Sequence, residues 1–325
     1  MSDPKRHHIL AETYQKHFIQ EGNCVWVHDK STAKTFATQP INVAVRTDFN
    51  TALTPEGGLD RRTVETFFST FETDYPATIQ QLRTGVQTTD SINHAIAFMN
   101  LQVIRSPVLR QLMSDLLVRF SPQDNAALRV YGVHDVGVTL LEQARSGDID
   151  AKVKIGLQSS KHLALGVMNA LKDVAYRTIR LDTPINLLSS DNPVVYFSVQ
   201  RERGKWRSGL PFPSTRILCF FPLAKDILLF GDTEKPPFEQ LFSERPSQIC
   251  NSVALVRRVN AINALTAERT IIAPTERDLS KTLSAIQNKD FKPNRLFSMC
   301  TELAKVAIRI NDEHWNTRSP PQARA

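Results

Sequence analysis

The apolar pattern of this chain changes character once, near residue 176, and that change limits the fold more than any other feature. From Leu59 to about Ala175 the apolar residues recur at helical spacing. Val64, Phe67, Phe68, Phe71 and Tyr75 mark one helix, with Pro76 as a break or kink. Thr89-Asp90-Ser91 reads as the cap of the next, whose stripe is Ile92, Ala95, Ile96, Met99 and Val103. Pro107 should restart that helix before Leu109, Leu112, Leu116 and Phe120, and two further helices follow around 135–145 and 150–175. From Tyr176 to about Pro274 the runs are short and strand-like. Tyr176–Leu181, Ile185–Leu188, Val194–Val199, Arg216–Phe221 and Ile227–Phe230 are separated by Pro, Asp and Gly, which predicts a largely antiparallel sheet.

The flanks complete an α+β arrangement. Residues 7–20 read as a short helix with Leu10, Tyr14 and Phe18 on one face. Cys24–His28 then alternates as a strand, Asp29-Lys30-Ser31 turns, and Thr35–Thr38 returns as its hairpin partner. Val253–Leu265 reads as helix, Thr270–Ala273 as a last strand, and 277–287 and 294–311 as helices. The expectation is an amino-terminal helix and β-hairpin, a central helical layer and a carboxy-terminal, mainly antiparallel sheet with terminal helices. We expect one domain over 1–315, divided into 1–58 (helix plus hairpin), 59–175 (helical), 176–275 (β-rich) and 276–315 (helical), with 316–325 a disordered tail.

Bulk properties exclude more than they identify. Hydrophobic residues at 41% and charged residues at 22% of 325 suit a globular protein with ample core. Only 12 glycines occur, and neither GxGxxG nor GxxxxGK[ST] is present, which argues against a Rossmann or P-loop nucleotide site. A formal charge of +7 permits nucleic acid or another anionic ligand without specifying either. Cys24, Cys219, Cys250 and Cys300 are scattered and form no CxxC, and Cys24 and Cys219 read as small buried hydrophobes. The polar opening and the lack of a long apolar run lead us to expect a cytoplasmic protein with free thiols and no membrane partner.

Chemistry-bearing residues fall in a few places. Ser190-Asp191-Asn192-Pro193 interrupts two apolar runs, so its polar groups sit at a strand end, either as a site or as an Asx-type turn. Half of the eight histidines lie in the first 28 residues. Of the adjacent pair, one of His7 and His8 can act as general base or phosphate donor while the other caps the helix, or both are simply solvated. Glu72 lies among apolar helix positions, and a buried Glu72 needs a partner such as Arg105 or a histidine. Arg105-Ser106-Pro107 puts a guanidinium at a helix break, to clamp an anion or to satisfy freed carbonyls. Arg201, Arg203, Lys205, Trp206 and Arg207 form a basic loop with one aromatic, a pattern that suits single-stranded nucleic acid or an exposed hairpin tip. With Arg177, Arg180 and Arg216 it gives seven cations against three acids between residues 176 and 220. No HExxH or GxSxG occurs, so metal ligands are unknown, a divalent ion stays open, and no serine or cysteine nucleophile is indicated.

The opening His7-His8-Ile9-Leu10-Ala11-Glu12-Thr13-Tyr14-Gln15-Lys16-His17-Phe18 resembles the His-His-x-x-Pro-x-x-Tyr-Leu-x-x-Phe start of the uncharacterised DUF4238 family. Val25–Lys30, Asn42-Val43-Ala44, Asp48-Phe49, Arg105-Ser106-Pro107, Ser190–Pro193, Pro222-Leu223 and the Asn260/Asn263 helix fall in the same order. Ala11 stands where the family has proline, and Gln15 where it has leucine. The resemblance covers nearly the whole chain and brings no settled activity. It implies that His7, His8, Asp191 and Asn192 act jointly. The first expectation is therefore a hydrolase of phosphodiester or other anionic substrates, with His8, Asp191, Asn192 and Glu72 as catalytic residues and His7, Arg105, Ser190 and Asn263 binding substrate. Two other readings stand beside it: a non-catalytic nucleic-acid-binding or sensing module, and a structural or interaction protein.

Overall fold

The computed structural model describes residues 5–20, 22–54, 58–119, 135–148, 151, 154–157, 174–202, 205–209, 215–234, 244–246, 248–287 and 293–316. The elements, in chain order, start with β1 (Arg6–His8), α1 (Glu12–Gln15), β2 (Val25–Asp29), β3 (Lys34–Thr38) and β4 (Val45–Thr47). A helical layer follows: α2 (Thr63–Glu72), α3 (Tyr75–Arg83), α4 (Thr89–Arg105), α5 (Pro107–Val118) and α6 (Asp135–Arg145). Then come β5 (Ala175–Leu181), β6 (Ser189–Ser190), β7 (Val195–Glu202), β8 (Lys205–Gly209), β9 (Arg216–Ala224), β10 (Ile227–Asp232) and β11 (Gln248–Cys250). The chain continues through α7 (Val253–Thr266), β12 (Thr270–Ala273), α8 (Glu276–Gln287) and α9 (Pro293–Asn316). The α+β expectation holds.

Two sheets organise the described residues. The larger has the order β8-β7-β9-β10-β5-β11, antiparallel except where β11 runs parallel to β5. The smaller has the order β3-β2-β12-β6 and joins distant parts of the chain. In it, β12 lies between the amino-terminal hairpin and Ser189–Ser190, with Ile271 opposite both His28 and Ser190.

A ring of aromatics joins the helical layer to the larger sheet. Tyr14 is fully buried against Phe18, Tyr75, Phe98 and Phe221, at centroid distances of 5.1, 6.0, 5.9 and 5.5 Å. Its hydroxyl donates to the Pro222 carbonyl at 2.8 Å and accepts from Ser189 Oγ at 2.7 Å. Tyr75 donates to the Leu223 carbonyl at 2.5 Å. Each phenol therefore brings apolar area and also satisfies main-chain acceptors in the Pro222-Leu223 segment of β9.

Several local expectations are corrected. Residues 7 and 8 are strand and not helix, because Arg6–His8 pairs antiparallel with Val45–Thr47 and Ala11 (ψ 133°) is still extended. Residues 64–75 form two helices. Tyr75 begins the second, with Pro76 in its first turn, where a missing N–H leaves no helical bond unmade. The cap of α4 is Thr88, one residue before the expected cap, and Thr88 and Ser91 exchange side-chain and backbone bonds as a capping box. Ile185–Leu188 forms no strand. Asn260 replaces a ladder there, accepting from Leu188 N at 2.9 Å and donating to the Asn186 carbonyl at 2.8 Å. Cys24 precedes β2 and is half-buried. Leu116, Phe120, most of the 150–175 helix and the 317–325 tail fall outside what is described for side chains or backbone.

Two tests follow. Tyr14→Phe removes both phenolic bonds and leaves the Pro222 carbonyl unpaired. It should cost about 1–3 kcal/mol in urea denaturation. His17, set edge-on against Tyr75 at 5.4 Å, has its pKa lowered from 6.5 to about 4 by burial, with Arg83 adding and Asp226 opposing. Between those values the unfolded chain binds the extra proton, so the contribution is full above pH 6.5 and is lost as pH falls toward 4. A His17→Phe variant should show a flatter stability–pH slope in that window.

Candidate functional site

Pairing of β1 with β4 places His7 opposite Arg46 and His8 opposite Val45. Strand alternation then turns the two imidazoles to opposite faces. His7 is buried, and its Nδ1 accepts from Asn50 N at 2.8 Å. His8 is half-buried, and its Nδ1 is enclosed without a hydrogen-bond partner. Burial lowers the pKa of His8 below its ordinary 6.5; Glu12, Glu65 and a hydrogen bond with the Val43 main chain oppose that change and Arg105 adds to it. The imidazole is therefore neutral at neutral pH, close to three charged groups.

The last residue of α4 supplies the cation. Arg105 is 2% exposed and its Nη2 lies 2.5 Å from Glu72 Oε1 at the end of α2. Its guanidinium sits 3.9 Å from the Phe68 ring centroid. Nε and Nη1 are buried with no hydrogen-bond partner. Glu72 is 20% exposed, and burial raises its carboxyl pKa; Arg105 pulls it back while Glu65 and Glu12 push it further up. Burial thus draws one carboxyl up and one imidazole down, each within electrostatic reach of the Arg105 guanidinium.

A second arginine lies close to the first. Arg110, fully buried in α5, donates to the Phe49 carbonyl at 2.5 Å and to Asn50 Oδ1 at 2.6 Å, with its guanidinium 3.9 Å from the Phe49 ring centroid. Burial, with Arg105 nearby, lowers its pKa to about 9, which leaves it charged at neutral pH. Asn50 Nδ2 in turn donates to Glu65 Oε1 at 2.5 Å. His7, Asn50, Glu65 and Arg110 form one bonded network centred on Asn50.

The Ser190–Pro193 turn lies elsewhere. Asp191 is buried, and its two oxygens accept the main-chain N–H groups of Glu268, Arg269 and Thr270, each at 2.8 Å. Burial raises its pKa while those three bonds act in the opposite direction. A carboxylate so occupied has little capacity left as a base or metal ligand, and the groups around it are not those around His8. The expectation that Asp191 joins His8 and Glu72 in the chemistry draws no support from these bonds. Asn192 Oδ1 accepts from Ser106 Oγ at 3.0 Å, and its amide donates to the Thr266 carbonyl at 3.2 Å. Ser190 is buried, and its hydroxyl accepts from Asn192 N at 3.2 Å. Asn263 is fully buried in α7, and neither atom of its amide has a partner. Among the described residues no group of three His, Cys, Asp or Glu is placed to hold a metal ion.

The expected basic loop is the tip of the β7–β8 hairpin, with Arg201 opposite Trp206 and Glu202 opposite Lys205. Arg203 lies outside the described residues. Arg207 is in an exposed ion pair with Glu202 at 3.3 Å. The wider patch does not form. Arg177 is buried near the Phe230 ring, and Arg216 is buried against Asp232 and Glu234. Asn50, Arg110 and Glu12 were not legible as site residues, because no local pattern joins positions 12, 50 and 110 before the chain folds.

These features define an α+β protein in which a half-buried His8 on an amino-terminal ribbon lies within electrostatic reach of the buried Arg105–Glu72 pair of the helical layer. Residues 6–277 match the family model described as "Protein of unknown function (DUF4238)", and the chain belongs to that family. Comparison with curated proteins and with solved structures finds no match. No helix among the described residues is long and apolar enough to cross a membrane.

Asp191→Ala should be strongly destabilising, because it strands three main-chain donors that now meet a charged acceptor. A loss of about 3 kcal/mol or more is expected in urea denaturation, well beyond the roughly 1 kcal/mol of an ordinary cap.

Proposed function

We propose that this protein is a hydrolase acting on a phosphodiester or other anionic substrate, with its chemistry at His8, Glu72 and Arg105. One observation carries the reading. Three polar atoms of a single cluster, His8 Nδ1 and Arg105 Nε and Nη1, are buried without a protein partner. Charged donors left unpaired inside a protein are costly, and a substrate oxygen would satisfy them. In this reading the neutral His8 takes a proton from the attacking water. The new bond forms between that water and the phosphorus or other electrophilic centre. The protonated His8 then gives that proton to the leaving oxygen as the old bond breaks, while Glu72, paired with Arg105, orients the guanidinium. Arg105 holds a non-bridging oxygen. The other nearby carboxylates are already engaged, Glu65 by Asn50 and Glu12 by Lys16 at 2.8 Å, which limits their repulsion of an anion. All four cysteines are free thiols, which suits a reducing cytoplasm. The second reading, nucleic-acid binding through Arg201, Lys205 and Arg207, has less support once Arg177 and Arg216 are buried.

Bis(p-nitrophenyl) phosphate and a short single-stranded oligonucleotide are the probes of choice. His8→Gln and Arg105→Lys should each lower kcat by about 10²-fold or more while circular dichroism shows a folded chain. On the acidic side the rate should rise with pH as His8 loses its proton, with a midpoint below 6.5. Absence of turnover of either probe by the folded wild-type chain rejects the reading.

A further inference from the structure

We infer that the Ser190–Pro193 turn is the positioning element of the His8–Arg105 cluster, with Asp191 setting the ribbon that carries His8 and Asn192 setting the helix end that carries Arg105. The inference rests on the reading of that cluster as the working site. Neither residue touches it, and each acts through one bonded relay.

The first relay runs from Asp191 to β1. By holding the N–H groups of residues 268–270, the carboxylate fixes the segment that leads into β12. Asp191 N also donates to the Thr270 carbonyl at 3.0 Å, and Ser190 pairs with Ile271, so turn and strand move as one piece. From that segment Glu268 reaches Arg46 on β4, with Oε2 and Nη2 2.5 Å apart. Arg46 is the register partner of His7, next to His8. A parallel tie joins Arg269 to Asp29 of β2 at 2.7 Å. Between these ties lies a cleft of about 200 Å³ bounded by Asp29, Asn42, Arg46 and Arg269. Beside this cleft the two cross-links add to the ties that Asn50 and Arg110 give the ribbon from its other side.

The second relay is shorter. Asn192 anchors to the end of α7 through the Thr266 carbonyl and receives the Ser106 hydroxyl. Ser106 caps α4, its N–H donating to the Val103 carbonyl, and directly follows Arg105. One four-residue turn is thus bonded to both arms of the cluster. The Arg46–Glu268 pair is 32% and 40% exposed. Exposed pairs contribute little to stability, so its role is geometric.

The test reads the two arms separately and needs no substrate. In the full chain, the His8 imidazole signals are assigned by His8→Gln and titrated by NMR, and exchange of the Arg105 Nε–H with water is measured. Glu268→Gln should shift the His8 signals and their titration midpoint while leaving the urea midpoint unchanged. The swapped pair, Arg46→Glu with Glu268→Arg, should restore them. Glu268 is not among the charged groups acting on His8, which are Glu12, Glu65 and Arg105, beside a hydrogen bond with the Val43 main chain. Ser106→Ala should speed Arg105 Nε–H exchange several-fold and leave His8 unchanged. Wild-type His8 signals in Glu268→Gln, no rescue by the swapped pair, or unchanged Arg105 exchange in Ser106→Ala would each overturn the inference. Should the chain hydrolyse neither probe while these shifts appear, the hydrolase reading fails and the positioning stands.

Discussion

Three main-chain N–H groups converge on the Asp191 carboxylate, and much of the molecule is arranged around that convergence. A buried carboxylate is costly in an apolar interior, and it is tolerated when oriented donors replace water. Glu268, Arg269 and Thr270 are those donors, and they can face one carboxylate only if the turn after α7 closes over the turn before β7. That closure brings β12 beside Ser189–Ser190 and so completes the small sheet with the amino-terminal hairpin. Ser189 in turn meets Tyr14, the centre of the aromatic ring. One side chain therefore coordinates the ends of three segments that are remote in sequence.

The Arg105–Glu72 pair obeys a different logic. Buried ion pairs rarely add net stability, because desolvation offsets the attraction, and apolar residues of similar volume would serve a core as well or better. Here the guanidinium also keeps two donors unpaired, and a second arginine, Arg110, is held immediately behind it. Such an arrangement is hard to justify as a packing solution.

Parts of this were legible from residues alone. The change of period near residue 176 located the helical layer and the sheet, because periods of 3.6 and 2 follow from backbone geometry. A need for Glu72 to find a partner such as Arg105 followed from the cost of an isolated buried carboxylate. Other parts were not. His7 and His8 became strand because Val45–Thr47 was available to pair with them, a contact nearly forty residues away that no local propensity encodes. Ile185–Leu188 has the composition of a strand, yet its polar main chain is met by the Asn260 amide, so no ladder is required. The basic stretch from 176 to 220 looked like a surface patch because sequence counts charges without their partners. Folding buried Arg177 and gave Arg216 two carboxylates.

The α+β class, the order of the helical and β-rich regions and the short motifs that contain reactive groups can all be read from the chain before it folds, since each depends on residues close together in it. Tertiary structure alone decided which of those groups meet. It brought His8 within reach of Arg105, paired Arg105 with Glu72, joined His7, Asn50, Glu65 and Arg110 in one network, and gave Asp191 a main-chain turn to hold. The reason is physical: hydrogen bonds and ion pairs select partners by distance and burial, and both are set only when the ribbon, the helical layer and the two sheets have packed.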